Sequence, residues 1–284
     1  MEEKIAIVTD STCDIQQQKL EKLNIESLPL KVVYKNNQYL DRVDITPSEV
    51  YEAMEEEIPT TSMPSPGEIK SLYDNLKEQG FTHIISLHIS RGLSATWSNC
   101  QMVAEEMEGI EVEVIDSKML SMGLGRLVLY AQELREKSRD NFARIVEKVK
   151  SKRDKIKIYF VVKTLKYLKE GGRIGKVSGT IAEFLNIKPI ISIDEEGEYF
   201  TAAKVRGRQK SISKMADMIK DKIQQGKEYY LDIMNADAGE EAEKLFDSFQ
   251  GISGIKEIHV GEISPVMVVH AGPGLLGLAL TEID

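Results

Sequence analysis

Five short polar stretches hold the residues of this 284-residue chain that could do chemistry, and none is a complete catalytic motif. In Ser86-Leu87-His88-Ile89-Ser90-Arg91-Gly92-Leu93-Ser94-Ala95-Thr96 an apolar run leads through a glycine turn to a serine at the predicted start of a helix. Free N–H groups there favour an anion, so Ser94 is either a ligand contact or a plain helix cap. Gly92-Leu93-Ser94-Ala95-Thr96 also approaches the hydrolase nucleophile elbow, but Thr96 replaces its second glycine, which weakens a serine-hydrolase reading.

Val268-Val269-His270-Ala271-Gly272-Pro273-Gly274 reads as an apolar strand ending in a histidine and a tight turn. A lone histidine in that position is more often structural than catalytic. Thr60-Thr61-Ser62-Met63-Pro64 sets three hydroxyls in a stretch that proline keeps extended, free to face a ligand. Thr9-Asp10-Ser11-Thr12-Cys13-Asp14 reads first as a strand end plus helix cap. A phosphotransferase using Asp10 as nucleophile lacks the second aspartate and glycine of the usual motif. In Glu170-Gly171-Gly172-Arg173-Ile174-Gly175-Lys176-Val177, Glu170 and Val177 occupy the positions where a phosphate loop needs Gly and Ser/Thr. A glycine-flanked Arg173 that closes over an anion is the better functional reading, with a surface turn as the alternative. The four histidines show no metal-ligand spacing, so no metal is expected.

These stretches must be positioned by an α/β fold. Apolar runs at Ile5–Val8, Ile84–Leu87 and Val112–Ile115 alternate with amphipathic stretches at 16–23 and 95–107, predicting a mostly parallel sheet layered with helices. A hairpin over residues 25–40, turning at Lys35-Asn36-Asn37-Gln38, is expected as an insertion. Thr46-Pro47-Ser48-Glu49 and Ser65-Pro66-Gly67-Glu68 each write a helix start: hydroxyl cap, proline, then glutamate. From about Lys155 the pattern changes. A hairpin of Pro189–Ile193 and Tyr199–Val205 joins a strand at Ile158–Val162, a helix near 211–224, and strands near 229–234, 257–260, 266–269 and 276–281. Two domains are therefore expected, an N-terminal α/β domain over residues 1–155 and a C-terminal mixed α/β domain over 156–284.

Composition narrows the function classes. Hydrophobic residues at 42% and charged residues at 29% are ordinary globular values. A net charge of −9 argues against broad nucleic-acid binding, which needs a basic surface. No stretch is long and apolar enough for an integral membrane segment. Two well-separated cysteines and a start without signal-peptide character predict a cytoplasmic protein.

Taken together, Thr9-Asp10-Ser11-Thr12, Thr61-Ser62 with Pro64, Ser90 with Gly92-Leu93-Ser94, Gly171-Gly172-Arg173-Ile174, Lys188-Pro189-Ile190, and His270 with Gly272 and Gly274 resemble the DegV family. Order and spacing are similar across essentially the whole chain. The resemblance implies a long-chain fatty acid such as palmitate as ligand, held in a tunnel between the two domains. It implies that Thr61, Ser94 and His270 hold its carboxylate, with Ser62, Arg173 and Arg206 near the head group or a partner. Some members serve as the fatty-acid-binding subunit of a bacterial fatty acid kinase. By that resemblance the chain is a non-catalytic lipid carrier without a cofactor, partnered by a kinase subunit and an acyltransferase of phospholipid synthesis. Where the family usually has Gly-Thr-Tyr after this serine, the chain has Ala95-Thr96-Trp97.

About fourteen buried methylenes would contribute roughly 11 kcal/mol before ordering costs, against roughly 1.5 to 3 kcal/mol per hydrogen bond to a charged head group. The tail then supplies affinity and the hydroxyls fix orientation. Residues 181–187, 190–191, 266–269 and 275–280 are apolar enough to line a tunnel. Two rival readings remain open: a serine hydrolase using Ser94 and His270, and a lipid-sensing regulator that serves no kinase.

Overall fold

The computed structural model describes residues 3–180 and 187–284. Its N-terminal half is built on β1 (Ile5–Asp10), α1 (Gln17–Lys22), β2 (Ile25–Leu28), β3 (Lys31–Val33), β4 (Gln38–Leu40), α2 (Pro47–Ala53), β5 (Thr60–Ser62), α3 (Pro66–Glu78), β6 (His83–His88), α4 (Thr96–Glu105), β7 (Glu111–Asp116), α5 (Ser121–Lys137) and α6 (Phe142–Lys152). The C-terminal half follows with β8 (Ile156–Val161), α7 (Lys166–Glu170), β9 (Ile187–Ile193), β10 (Tyr199–Arg206), α8 (Arg208–Lys220), β11 (Tyr229–Ala236), α9 (Gly239–Phe249), β12 (Ile255–Glu262), α10 (Pro265–Ala271) and β13 (Leu275–Glu282).

Strands in the order β2-β1-β6-β7 form one wholly parallel sheet. The second sheet, β10-β9-β8-β13-β11-β12, is antiparallel except for the β11/β12 pair. A mixed α/β architecture with a parallel sheet and a separate mixed sheet therefore stands as expected. Proline placement explains the helix starts: Thr46 and Ser65 both form full capping boxes with Glu49 and Glu68, and Pro47 and Pro66 open the helices.

Two expectations are corrected. The stretch 25–40 is not one hairpin. Ile25–Leu28 joins β1 as a parallel edge strand, and Pro29, which lacks a donor, ends it. Only β3 and β4 form the hairpin, closed by the Tyr34 amide on the Asn37 carbonyl, and β5 adds a third strand. Residues 266–269, expected as a strand, lie instead in the helix α10, so His270 ends a helix and not a strand. Pro265 opens that helix, and burial against α2, α7, β3 and β5 outweighs the strand preference of its β-branched residues. Residues 117–155, where the sequence pattern marked no element, contain α5 and α6.

Hydrophobic packing joins the halves. One core cluster takes Ile7, Leu87 and Ile115 from the parallel sheet, Leu124 and Leu127 from α5, and Phe160, Met234 and Ala279 from the mixed sheet. The joint is also polar. Arg126 of α5 makes a two-pronged contact with Asp232 of β11 at 2.7 and 2.8 Å, and the Asp232 side chain is wholly buried.

A buried pocket between the sheets as the candidate ligand site

Between the two sheets lies a cavity with about 850 Å³ of empty space, part of it open to solvent, lined by residues of both halves. Its walls are apolar along most of their extent, with Leu30, Ile89 and Leu120 on one side and Phe160, Met234 and Ala279 on the other. Polar groups gather from Thr12, Thr61, Ser94, Ser121, Arg173 and His270. Of the apolar stretches expected as lining, 275–280 and 266–269 both contribute, whereas Ile190 and Ile191 do not; residues 181–186 lie outside the described residues.

Strand geometry places Thr61. It sits mid-strand in β5 opposite Val32, with neighbouring side chains pointing to the other face, so Thr61 lines the cavity and Ser62 does not. The Thr61 hydroxyl lies 2.7 Å from His270 Nε2. Helix α10 brings His270 there and stops at Gly272, whose φ of +73° suits glycine and where a Cβ would fall 2.0 Å from the Tyr167 ring. Gly171 is needed for space: a Cβ there would lie 2.3 Å from His270 Nδ1. Burial, with the Arg173 guanidinium as second cause, pushes His270 down to about 4, so the ring is neutral near pH 7. Its Nδ1 has no hydrogen-bond partner. A bare lone pair on Nδ1 fits the tautomer with hydrogen on Nε2. That nitrogen then donates to Thr61 and leaves the Thr61 hydrogen free to turn toward a ligand.

Ser94 follows a turn closed by its own amide on the Ser90 carbonyl at 3.1 Å. Helix α4 begins at Thr96, so Ser94 precedes the helix by two positions. Its Oγ accepts from the Thr96 amide at 3.3 Å and lies 2.9 Å from the Thr96 hydroxyl. Arg173 spans the two halves, donating to the Leu93 carbonyl at 3.2 Å and to the Gly171 carbonyl at 2.7 Å. It is therefore anchored beside Ser94, not mobile on a surface turn. Arg206 ends β10 opposite Ile187, exposed to solvent, and the fold does not bring it to the cavity.

Ser121 was not singled out from sequence, and Thr12 was read there as part of a strand end and helix cap; both line the cavity. Thr12 hydrogen-bonds Asp10, whose other oxygen lies 3.0 Å from His88 Nδ1 and accepts from the Ile89 amide at 2.9 Å. His88 Nε2 meets the Ser86 hydroxyl at 2.7 Å. Ser86, His88 and Asp10 follow the bonding order of a hydrolytic triad, but all three are wholly buried and none lines the cavity. Asp10 is thus a structural acceptor rather than an exposed nucleophile. Ser121 is a non-glycine residue at φ +51°, a departure that sequence periodicity does not reveal.

No helix among the described residues is long and apolar enough to cross a membrane, and no cluster of three or more potential metal ligands occurs among them. The cavity lining combines an apolar wall, hydroxyls, an imidazole that is neutral near pH 7 and one guanidinium.

Comparison with known proteins agrees with the architecture. The model of an uncharacterised protein family, DegV, matches residues 4–282. A DegV domain-containing protein of Clostridium acetobutylicum is 44% identical over 278 residues, covering 98% of this chain and 99% of its own. Among solved structures, a fatty-acid-binding DegV family protein from Thermus thermophilus superposes with a TM-score of 0.92 at 30% identity, covering 99% of this chain and 100% of its own. DegV of Bacillus subtilis, a fatty acid binding protein, gives 0.91 at 28% identity, covering 99% of both chains. With a family model spanning nearly its whole length and such relatives, the chain belongs to the DegV family.

Proposed function

We propose that this protein binds one long-chain fatty acid, palmitate or a close analogue, with its tail between the two sheets and its carboxylate at Thr61, Ser94 and His270. The observation that carries this reading is the cavity itself, apolar along its walls and supplied with neutral donors and one arginine. A carboxylate there would accept from the Thr61 and Ser94 hydroxyls, with the Arg173 guanidinium offsetting its charge. Neutral His270 would orient Thr61 without adding a second cation. Ser62 and Arg206, which do not line the cavity, are proposed as partner contacts and not as head-group ligands. The proposed division into domains falls between residues 155 and 156, where the first strand of the mixed sheet begins.

The protein would act as a non-catalytic carrier. In this reading a separate kinase phosphorylates the bound carboxylate, and the acyl phosphate passes to an acyltransferase of phospholipid synthesis. The glycine-rich stretch supports leaving the nucleotide to a partner, because it follows helix α7 as a turn and then forms a short 3₁₀ helix at Gly175–Thr180, and is not a phosphate loop between strand and helix. A cytoplasmic setting is part of the proposal, supported by two buried, unpaired cysteines.

A serine hydrolase finds little support in the geometry. His270 bonds Thr61 and Ser94 bonds Thr96, so the serine lacks its base, and no acid orients His270 Nδ1. Native mass spectrometry of protein purified from bacteria tests carriage directly: a co-purified fatty acid is expected, lost or much reduced in Ser94→Ala and Thr61→Val. Repeatedly empty wild-type protein overturns the reading. Acyl phosphate formed from the loaded protein with ATP and a fatty acid kinase would support the kinase partnership, and its absence would favour a lipid sensor.

A further inference from the structure

One side of the seam between the halves is closed by buried carboxylates outside the cavity. Ser264, at the cap position of α10, makes no side-chain cap, and its hydroxyl has no partner. Its amide donates instead to Asp14 at 2.8 Å, and the Val266 amide donates to Asp41 at 3.0 Å. Both carboxylates come from the N-terminal half. Arg42 strengthens the joint by donating to Asp14 and to the Glu262 carbonyl, each at 2.9 Å. At its other end α10 carries His270 to Thr61, so the N-terminal half grips this helix at both ends.

The two carboxylates differ. Asp14 has donors on both oxygens, from Arg42, the Ser264 amide and the Ser121 hydroxyl. Asp41 is 1% exposed, and its Oδ2 has no hydrogen-bond partner. A buried carboxylate left with an unsatisfied oxygen is better accommodated with a proton than without one. Burial accordingly pushes Asp41 up to about 7, whereas in water it would titrate near 3.8. The Ser11 hydroxyl, the Val266 amide and Arg42 act against that rise, in that order, and Asp14 adds to it. Cys13 and Tyr51 face Arg42, Glu262 faces Tyr51, and α10 brings no titratable group to this end.

We propose that the two halves close over their ligand with uptake of a proton at Asp41, which makes Asp41 the positioning residue through which pH sets how long the ligand is held. The inference rests on the fatty-acid reading above. Its sign follows from linkage. The closed form binds the proton more tightly than an open form with Asp41 in water, so acid favours closure. Raising the pH through the interval favours parting at α10.

The test loads wild type and Asp41→Asn with cis-parinaric acid, a fluorescent long-chain fatty acid, and follows release to excess serum albumin between pH 5 and 8.5. Wild-type release is expected to accelerate by as much as about tenfold per pH unit up to about pH 7, then level off. Asp41→Asn, which mimics the protonated group, should release slowly and evenly across the range. Should that variant fail to fold, calorimetric titration of wild type with the same probe at pH 6, in two buffers of different ionisation enthalpy, should show uptake of close to one proton. Equal pH profiles in variant and wild type overturn the inference, as does absence of proton uptake, or a profile flattened by Asp14→Asn instead. Failure of wild type to take up the probe at any pH strikes the fatty-acid reading itself.

Discussion

The Thr61 hydroxyl and His270 Nε2 lie 2.7 Å apart across 209 residues of sequence, joining a three-residue strand of the N-terminal half to the last turn of α10. That contact leaves Thr61 its hydrogen for a ligand when Nε2 carries the hydrogen that is donated. Burial, then Arg173, holds His270 at about 4 against an ordinary value of 6.5. Between these values the unfolded chain takes up a proton that the folded protein refuses, so this residue makes stability fall as pH drops from 6.5 to 4. The loss is up to about 3 kcal/mol. Urea denaturation at pH 6.5 and 4.5 should show a smaller acid loss in His270→Gln than in wild type. An equal loss in both proteins would mean that the ring is protonated in the folded state.

Gly171 tests the same contact from behind. A Cβ there would lie 2.3 Å from His270 Nδ1, and the neighbouring Gly172, at φ +70°, has nothing within 4 Å of its imagined Cβ. Gly171→Ala should displace the imidazole and weaken fatty acid binding by about tenfold or more, at a stability cost of roughly 1 to 3 kcal/mol. Gly172→Ala should cost about 1 kcal/mol through backbone strain alone and leave affinity nearly unchanged. Paired binding and melting measurements separate the two effects, and equal affinities would remove His270 from the site.

How much of this was legible in sequence depended on whether the signal was local. The helix starts at Thr46 and Ser65 were readable because cap, proline and glutamate all sit within four residues. Ser264-Pro265 carries the same opening, but Met267 replaces the glutamate, and the apolar residues that follow read as a strand. Its amides are instead satisfied by Asp14 and Asp41, more than two hundred residues away, which no local pattern can show. Thr61, Ser94, Arg173 and His270 stood out as hydroxyls, a cation and an imidazole beside glycine or proline, and all four reach the cavity. Ser62 and Arg206 carry the same kinds of group but face elsewhere, a distinction that only strand alternation and register decide.

The joint between the halves should depend on Arg126. Its guanidinium meets both oxygens of Asp232 and stacks over the Tyr230 ring, 4.3 Å from the centroid. Arg126→Met leaves a wholly buried carboxylate without its cation and should cost about 3 to 5 kcal/mol. Adding Asp232→Leu to that variant should restore much of the loss, because the desolvated charge is then gone. Denaturant titration of the two single variants and the double variant checks this, and additive losses would show that the pair is not coupled.

Ala279 provides a test of where the tail lies. On β13 it faces the same side as Leu275, toward the cavity and the core shared by the two halves, while Leu276 and Leu280 pack into the separate core on the far side of the sheet. Ala279→Leu places three more carbons on the cavity face, from a strand that brings none of the cavity's polar side chains. If a long acyl chain runs there, the variant should displace its last two or so methylenes, each contributing about 0.8 kcal/mol, and weaken binding of long chains roughly tenfold. Shorter chains that end before Ala279 should bind as they do to wild type, since the polar end is untouched. Competition binding across a series of saturated fatty acids reads this directly. A uniform loss at every length would place the added side chain against the head group or show a general distortion, and an unchanged series would put the tail along another wall.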